Sequence, residues 1–170
     1  MTFKRVVLAF IILMAALSRL IPHPPNFTPI MAMGLLGGVY FRNRQFAVIV
    51  PLLAMMVSDL VLGFHGTMIW VYSSIIVISL SASLLKPNKM MHLGLASVGS
   101  SLFFFLVTNF GVWMTSSFYP KTLTGLGASY TAGLPFLQNA MVGDLMYVGI
   151  LFGVFELAKL SIPQLSTDAV

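Results

Sequence analysis

The sequence predicts an all-α integral membrane protein: six transmembrane helices, both termini in the cytoplasm, one membrane domain over residues 1–170. Three observations carry this. The first is composition. Of 170 residues, 58% are hydrophobic and only 8% charged, with a mean hydropathy of +0.97, whereas soluble domains carry about 25% charged residues. The second is length. The chain has room for about six apolar segments of roughly 20 residues joined by short breaks, and for no separate soluble domain. The third is the placement of the basic residues. With the N-terminus inside and six spans, Lys4, Arg5, Arg42, Arg44, Lys86, Lys89 and Lys159 are cytoplasmic, leaving only Arg19 and Lys121 outside, as the positive-inside rule requires. The net charge of +5 is therefore a topology signal, and nucleic acid is not an expected partner. Cysteine is absent, which excludes disulfides, thiolate catalysis and cysteine metal sites.

The elements follow in order. Lys4 and Arg5 ahead of an apolar run resemble a signal peptide. The run continues to Ile21, and further spans follow, so it reads as the first transmembrane helix, about 6–21. Next comes a break from Arg19 to Ile30 containing Pro22, Pro24, Pro25 and Pro29. Each proline lacks an N–H and constrains the residue before it, so a continuous helix is forbidden. Irregular backbone cannot face lipid, so this stretch must border water, protein or a cavity, as the lid or wall of a site. The second span, about 29–41, is short and rich in small residues (Ala32, Gly34, Gly37, Gly38) that allow close helix approach. The third, about 46–63, contains Pro51 and closes with Ser58 and Asp59. A tight turn at Phe64, His65 and Gly66 leads to the fourth, about 67–85. A loop at 86–89 precedes the fifth, about 93–114, which opens with glycine, alanine and serine and closes with Thr108, Asn109 and Trp113. A connection of about 20 residues, 115–134, is rich in Gly, Ser and Thr and reads as a long, functional loop. The sixth span, about 135–160, carries Asn139, Asp144 and Glu156, and a short polar tail ends the chain.

This topology sends polar and aromatic groups from separate segments to the outer half of the bundle. Ionisable residues inside membrane spans are costly and are candidates for function. Aromatic walls with a few convergent polar groups describe a small-molecule pocket. The candidate substrate-binding residues are His23, Asn26, Phe27, Asn109, Trp113, Tyr119, Asn139 and Asp144. Asn109 and Trp113 are four apart and share a helix face. Arg19 and Asp59 are either ligand contacts or a structural ion pair at the outer rim. Asn109 and Asn139 have an alternative as interhelical hydrogen bonds, and Trp113, Tyr119 and Tyr130 as interfacial belt aromatics. His23, His65 and Asp59, drawn from distant loops, are too weak a pattern to predict a metal. His92 and Glu156 are expected near the cytoplasmic surface in contact with water. There is no GxxxxGK[ST] phosphate loop, no HExxH and no catalytic grouping, so neither enzyme activity nor a cofactor is expected.

The stretch from Arg19 to Pro29, the run Thr108 to Trp113, the run Tyr119 to Leu126, Pro135 and Phe136 with Asn139, and Gly143 to Leu145 together resemble a family of uncharacterised six-span bacterial membrane proteins. That family is related to the substrate-binding S components of energy-coupling factor transporters. The resemblance implies an S-component-like bundle in the bacterial inner membrane. It would bind a vitamin or metal near the outer surface, with the loop after the first helix as lid. A coupling membrane protein with two ATPases would supply the work. Two features depart from the pattern. Ala9, Ala15 and Ala16 do not form the AxxxA surface used for docking on the coupling protein, and the chain lacks the Met-His start of the nickel and cobalt members. The alternatives are a stand-alone proton-coupled permease using Asp144 and Asp59, and a structural membrane protein without a ligand.

Overall fold

The computed structural model describes residues 2–41, 43–86 and 90–166. Six α-helices occur among them: α1 (Phe3–Leu17), α2 (Ile30–Tyr40), α3 (Arg44–Leu62), α4 (Met68–Ala82), α5 (Met90–Thr115) and α6 (Leu123–Ser161). Arg42, Lys89, most of the loop at 86–89 and the tail at 167–170 lie outside the described residues. There is no strand among the described residues, so the chain is all-helical. The helices α3, α5 and α6 are long and apolar enough to cross a membrane, and α2 and α4 are shorter apolar helices.

Local sequence explains the boundaries. Leu8, Ile12, Ala15 and Ala16 form the buried stripe of α1, at the spacing of one helix face. A 3-10 turn at Ser18–Leu20 ends the helical path before Pro22. Asn43 caps α3 by accepting from the Gln45 amide at 2.8 Å, and Gly63, at φ +94°, ends it in a conformation that suits glycine.

Two elements depart from expectation. The first is α2. Its 11 residues rise only about 16 Å, roughly half of a bilayer core of about 30 Å. Every residue but Val39 is buried, so α2 is a central helix with no polar face. Its glycines make this position possible. A Cβ on Gly38 would strike the Ser79 carbonyl and the Ala82 methyl, and one on Gly37 would sit 3.0 Å from the Ala47 carbonyl and the Pro51 ring. The rest of the path from α1 to α2 is the non-helical stretch 21–29.

The second is the connection expected over 115–134. Only 116–122 is non-helical, and α6 runs 39 residues from Leu123 straight through Pro135. Thr122 starts it, its Oγ1 accepting from the Gly125 amide at 3.1 Å. Part of the Gly and Ser content that reads as loop, Ser129 and Gly133, is a packing face against α5. Ser129 Oγ donates to the Asn109 carbonyl at 3.0 Å, and a Cβ on Gly133 would lie 2.5 Å from Asn109 Oδ1. Pro135 removes one backbone donor without ending the helix.

The bundle has two polar ends. At one, the Arg5 guanidinium lies 4.9 Å over the Phe46 ring. There Tyr40 Oη donates to Glu156 Oε1, while Lys159 Nζ lies 2.8 Å from Glu156 Oε2. Glu156, expected to be simply hydrated, is thus tied to α2. At the other end lie Arg19 and the tips of α3 and α5. Between them Leu8, Ile12, Met33, Leu36, Met55, Ile75 and Phe155 form a fully buried core.

Candidate functional site

The proline-rich stretch folds as a tight turn. The Phe27 amide donates to the Pro24 carbonyl at 3.0 Å, and Asn26 has φ +62°. Proline second and a positive-φ residue third is the type II pattern, and asparagine is one of the few side chains that tolerate that conformation. Two contacts fasten the turn to α6. Asn139 Nδ2 donates to the Pro25 carbonyl at 3.0 Å. The Phe27 ring lies over Gly143, where an added Cβ would be 3.3 Å away, and its centroid is 6.2 Å from that of Tyr147.

Under this turn is a cavity of about 440 Å³. The turn and its flanks supply Arg19, His23, Asn26, Thr28 and Ile30. The α3–α4 connection and α4 supply His65, Thr67 and Val71. Phe104, Thr108, Asn109 and Val112 come from α5, Tyr119 from the α5–α6 connection, and Ser129, Ala132, Gly133 and Phe136 from α6. The wall is mixed: hydroxyl, amide and imidazole groups alternate with apolar and aromatic surface.

Arg19 is the cation of this wall. Its Nη1 lies 2.7 Å from Asp59 Oδ1 and also donates to Ser58 Oγ and to Met55 Sδ. Asp59 is 1% exposed, and its second oxygen accepts from Tyr72 Oη at 2.9 Å. The pair joins the 3-10 turn after α1 to α3 and α4. His65 Nδ1 and Thr67 Oγ1 share a hydrogen bond of 2.9 Å, and Asn109 Nδ2 donates to the Phe105 carbonyl at 2.8 Å.

Of the residues singled out by sequence, the structure brings His23, Asn26, Asn109 and Tyr119 to the cavity together with Arg19. Phe27, Trp113, Asn139 and Asp144 are not among its lining residues and have other partners. Phe27 and Asn139 hold the turn, as described. Trp113 Nε1 donates to the Pro120 carbonyl at 2.9 Å, and Lys121 Nζ, 5.9 Å from the Trp113 ring, donates to the Trp113 and Ser116 carbonyls. Trp113 thus builds the corner between α5 and α6. Asp144 is 3% exposed. It accepts from Ser101 Oγ at 2.7 Å and faces the backbone amides of Met31 and Ala32, in the first turn of α2. Four amides of a helix start lack intrahelical acceptors, and a carboxyl group beside them suits the positive end of the helix.

Sequence reasoning missed Phe104, Thr108 and Val112, although their four-residue spacing beside Asn109 marks one face of α5. It missed Ser129 and Gly133 because the segment read as loop. No group of three His, Cys, Asp or Glu side chains able to hold a metal occurs among the described residues.

The model of a family of unknown function, DUF6580, matches residues 1–165. The chain belongs to this family. The match agrees with the expected family of uncharacterised proteins, and it provides no link to S components. No curated protein and no solved structure matches the chain. In this DUF6580 member, then, function is argued from the cavity itself.

Proposed function

We propose that the protein is a membrane-embedded binding component of a transporter, capturing a small organic molecule, such as a vitamin, from the extracytoplasmic side. One observation supports this most: a mixed polar and aromatic cavity of about 440 Å³ beneath an anchored proline-rich turn, within the range of about 300–1,000 Å³ usual for small-molecule sites. In this reading the chain crosses the bacterial inner membrane six times with both termini inside. The half-length α2, surrounded by the other helices, makes the second crossing, with the exposed 21–26 stretch above it at the outer surface. Short helices shielded from lipid by their neighbours recur where transporters bind their cargo. A coupling membrane protein with two ATPases is the proposed energy source.

The test is a thermal-stabilisation screen of small polar molecules against the purified protein in detergent. A hit at this site should lose about tenfold or more in affinity, roughly 1.4 kcal/mol, in Thr108→Phe, which fills the cavity, and in Asn109→Ala. Hits that bind both variants as well as the parent would put the site elsewhere. Uptake by liposomes containing this chain alone would favour the stand-alone permease.

A further inference from the structure

Granting that the cavity binds a small molecule, we infer that its ligand carries a carboxylate, received by the part of the Arg19 guanidinium that the protein does not use. Among the described residues, every hydrogen bond of this guanidinium leaves from Nη1. The partners of that corner, Met55, Ser58 and Asp59, are not cavity-lining residues. Arg19 Nε is a buried donor without a protein partner. The side chain is therefore tethered to α3 by one corner while it lines the cavity. Nε is closed off, which leaves Nη2 as the donor open to a ligand. A guanidinium N–H makes a strong, charge-assisted hydrogen bond to a carboxylate oxygen.

The rest of the wall agrees in sign. No carboxylate lines the cavity among the described residues, and its other titratable liners are His23, His65 and Tyr119. An ammonium ligand would meet a guanidinium with no counter-charge facing it. A phosphate ester would bring about −1.5 to −2 charges to a single guanidinium already shared with Asp59. A monocarboxylate adds the smallest negative charge that still draws on the guanidinium facing the cavity. Phe104, Phe136 and Val71 offer apolar surface for the body of such a molecule, so an acid with a hydrophobic portion fits better than a fully polar one.

The test uses the full chain in detergent with four probes that share a phenyl body: phenylacetate, phenylacetamide, benzylamine and phenyl phosphate. Phenylacetate alone should raise the melting temperature and give a measurable Kd. Arg19→Lys keeps a cation for Asp59 but loses the Nη2 donor toward the cavity, and should weaken phenylacetate binding about 10- to 100-fold. Should that variant misfold, His23→Glu tests the same point at an exposed position. It adds a carboxylate to the cavity and should weaken phenylacetate to a similar degree. Equal binding of phenylacetamide would overturn the carboxylate while leaving the cavity reading intact. Tighter binding of phenyl phosphate or benzylamine would overturn it in favour of that class. No response to any probe would also overturn it, and the Thr108→Phe screen would then decide separately whether the cavity binds anything.

Discussion

Asp144 shows how much of a buried charge-bearing side chain can be spent on architecture. Its carboxyl accepts the Ser101 hydroxyl and faces two amides at the start of α2, so it brings α6, α5 and α2 together at one point. Its site is 3% exposed, and losing a buried polar partner costs about 1–3 kcal/mol. Asp144→Ala should therefore destabilise the fold by about 1–3 kcal/mol, with Asp144→Asn, which keeps an acceptor, recovering much of the loss. Thermal or denaturant unfolding in detergent measures this, and an Ala variant as stable as the parent would refute the architectural role. At this scale the sequence was legible in height and not in direction. Reading depth along each span gathered Arg19, Asp59, Asn109, Asn139 and Asp144 at similar levels. Successive helix residues turn by about 100°, however, so depth cannot say which of them faces the cavity. Asn109 does, while Trp113, one turn on, bonds to Pro120. Arg19 and Asp59 were open between ligand contact and ion pair. The structure pairs them and also places Arg19 on the cavity wall.

At the scale of elements, two sequence signals with the same composition have opposite meanings. Prolines at 22, 24, 25 and 29 do break the helical path, because a missing N–H and a fixed φ act locally wherever they fall. Glycines and serines over 125–133 do not. The cost of a helical glycine, about 1 kcal/mol, is offset where the face packs, at Ser129 and Gly133 against α5 and at Gly125 against Pro120. That offset depends on a distant partner and is invisible in a local window. It also makes a prediction. A Cβ at Gly133 would meet Asn109 Oδ1 at 2.5 Å and Phe105 at 2.8 Å, so Gly133→Val should force α5 and α6 apart. It should lower the melting temperature far more than Gly127→Val, where an added Cβ meets nothing within 4 Å. Equal effects at the two positions would show that the N-terminal part of α6 does not pack as described. Within the lid, Asn139→Ala removes the side chain that holds the Pro25 carbonyl. Hydrogen exchange at the Phe27 amide should then speed up while the core of α3 stays protected, and unchanged exchange would mean that the turn is held without Asn139.

For the whole molecule, the question is where it sits. Leucine side chains at 60, 84 and 160 are 65%, 78% and 82% exposed, a surface that suits lipid better than water. The basic groups Arg5 and Lys159 lie with Phe46, Tyr40 and Glu156 at the end away from the cavity. Positive-inside bias would turn that end to the cytoplasm and the cavity outward. The absence of native cysteine makes this directly measurable, since a single introduced thiol is the only one a reagent can find. Ser117→Cys lies in the exposed connection between α5 and α6, and Ser166→Cys lies after the C-terminal 3-10 turn at the opposite end. In intact spheroplasts a membrane-impermeant maleimide should label the first and not the second, and permeabilisation should make both reactive. Labelling of Ser166→Cys alone would invert the molecule. The cavity would then open to the cytoplasm, and capture from outside could not be its function whatever it binds.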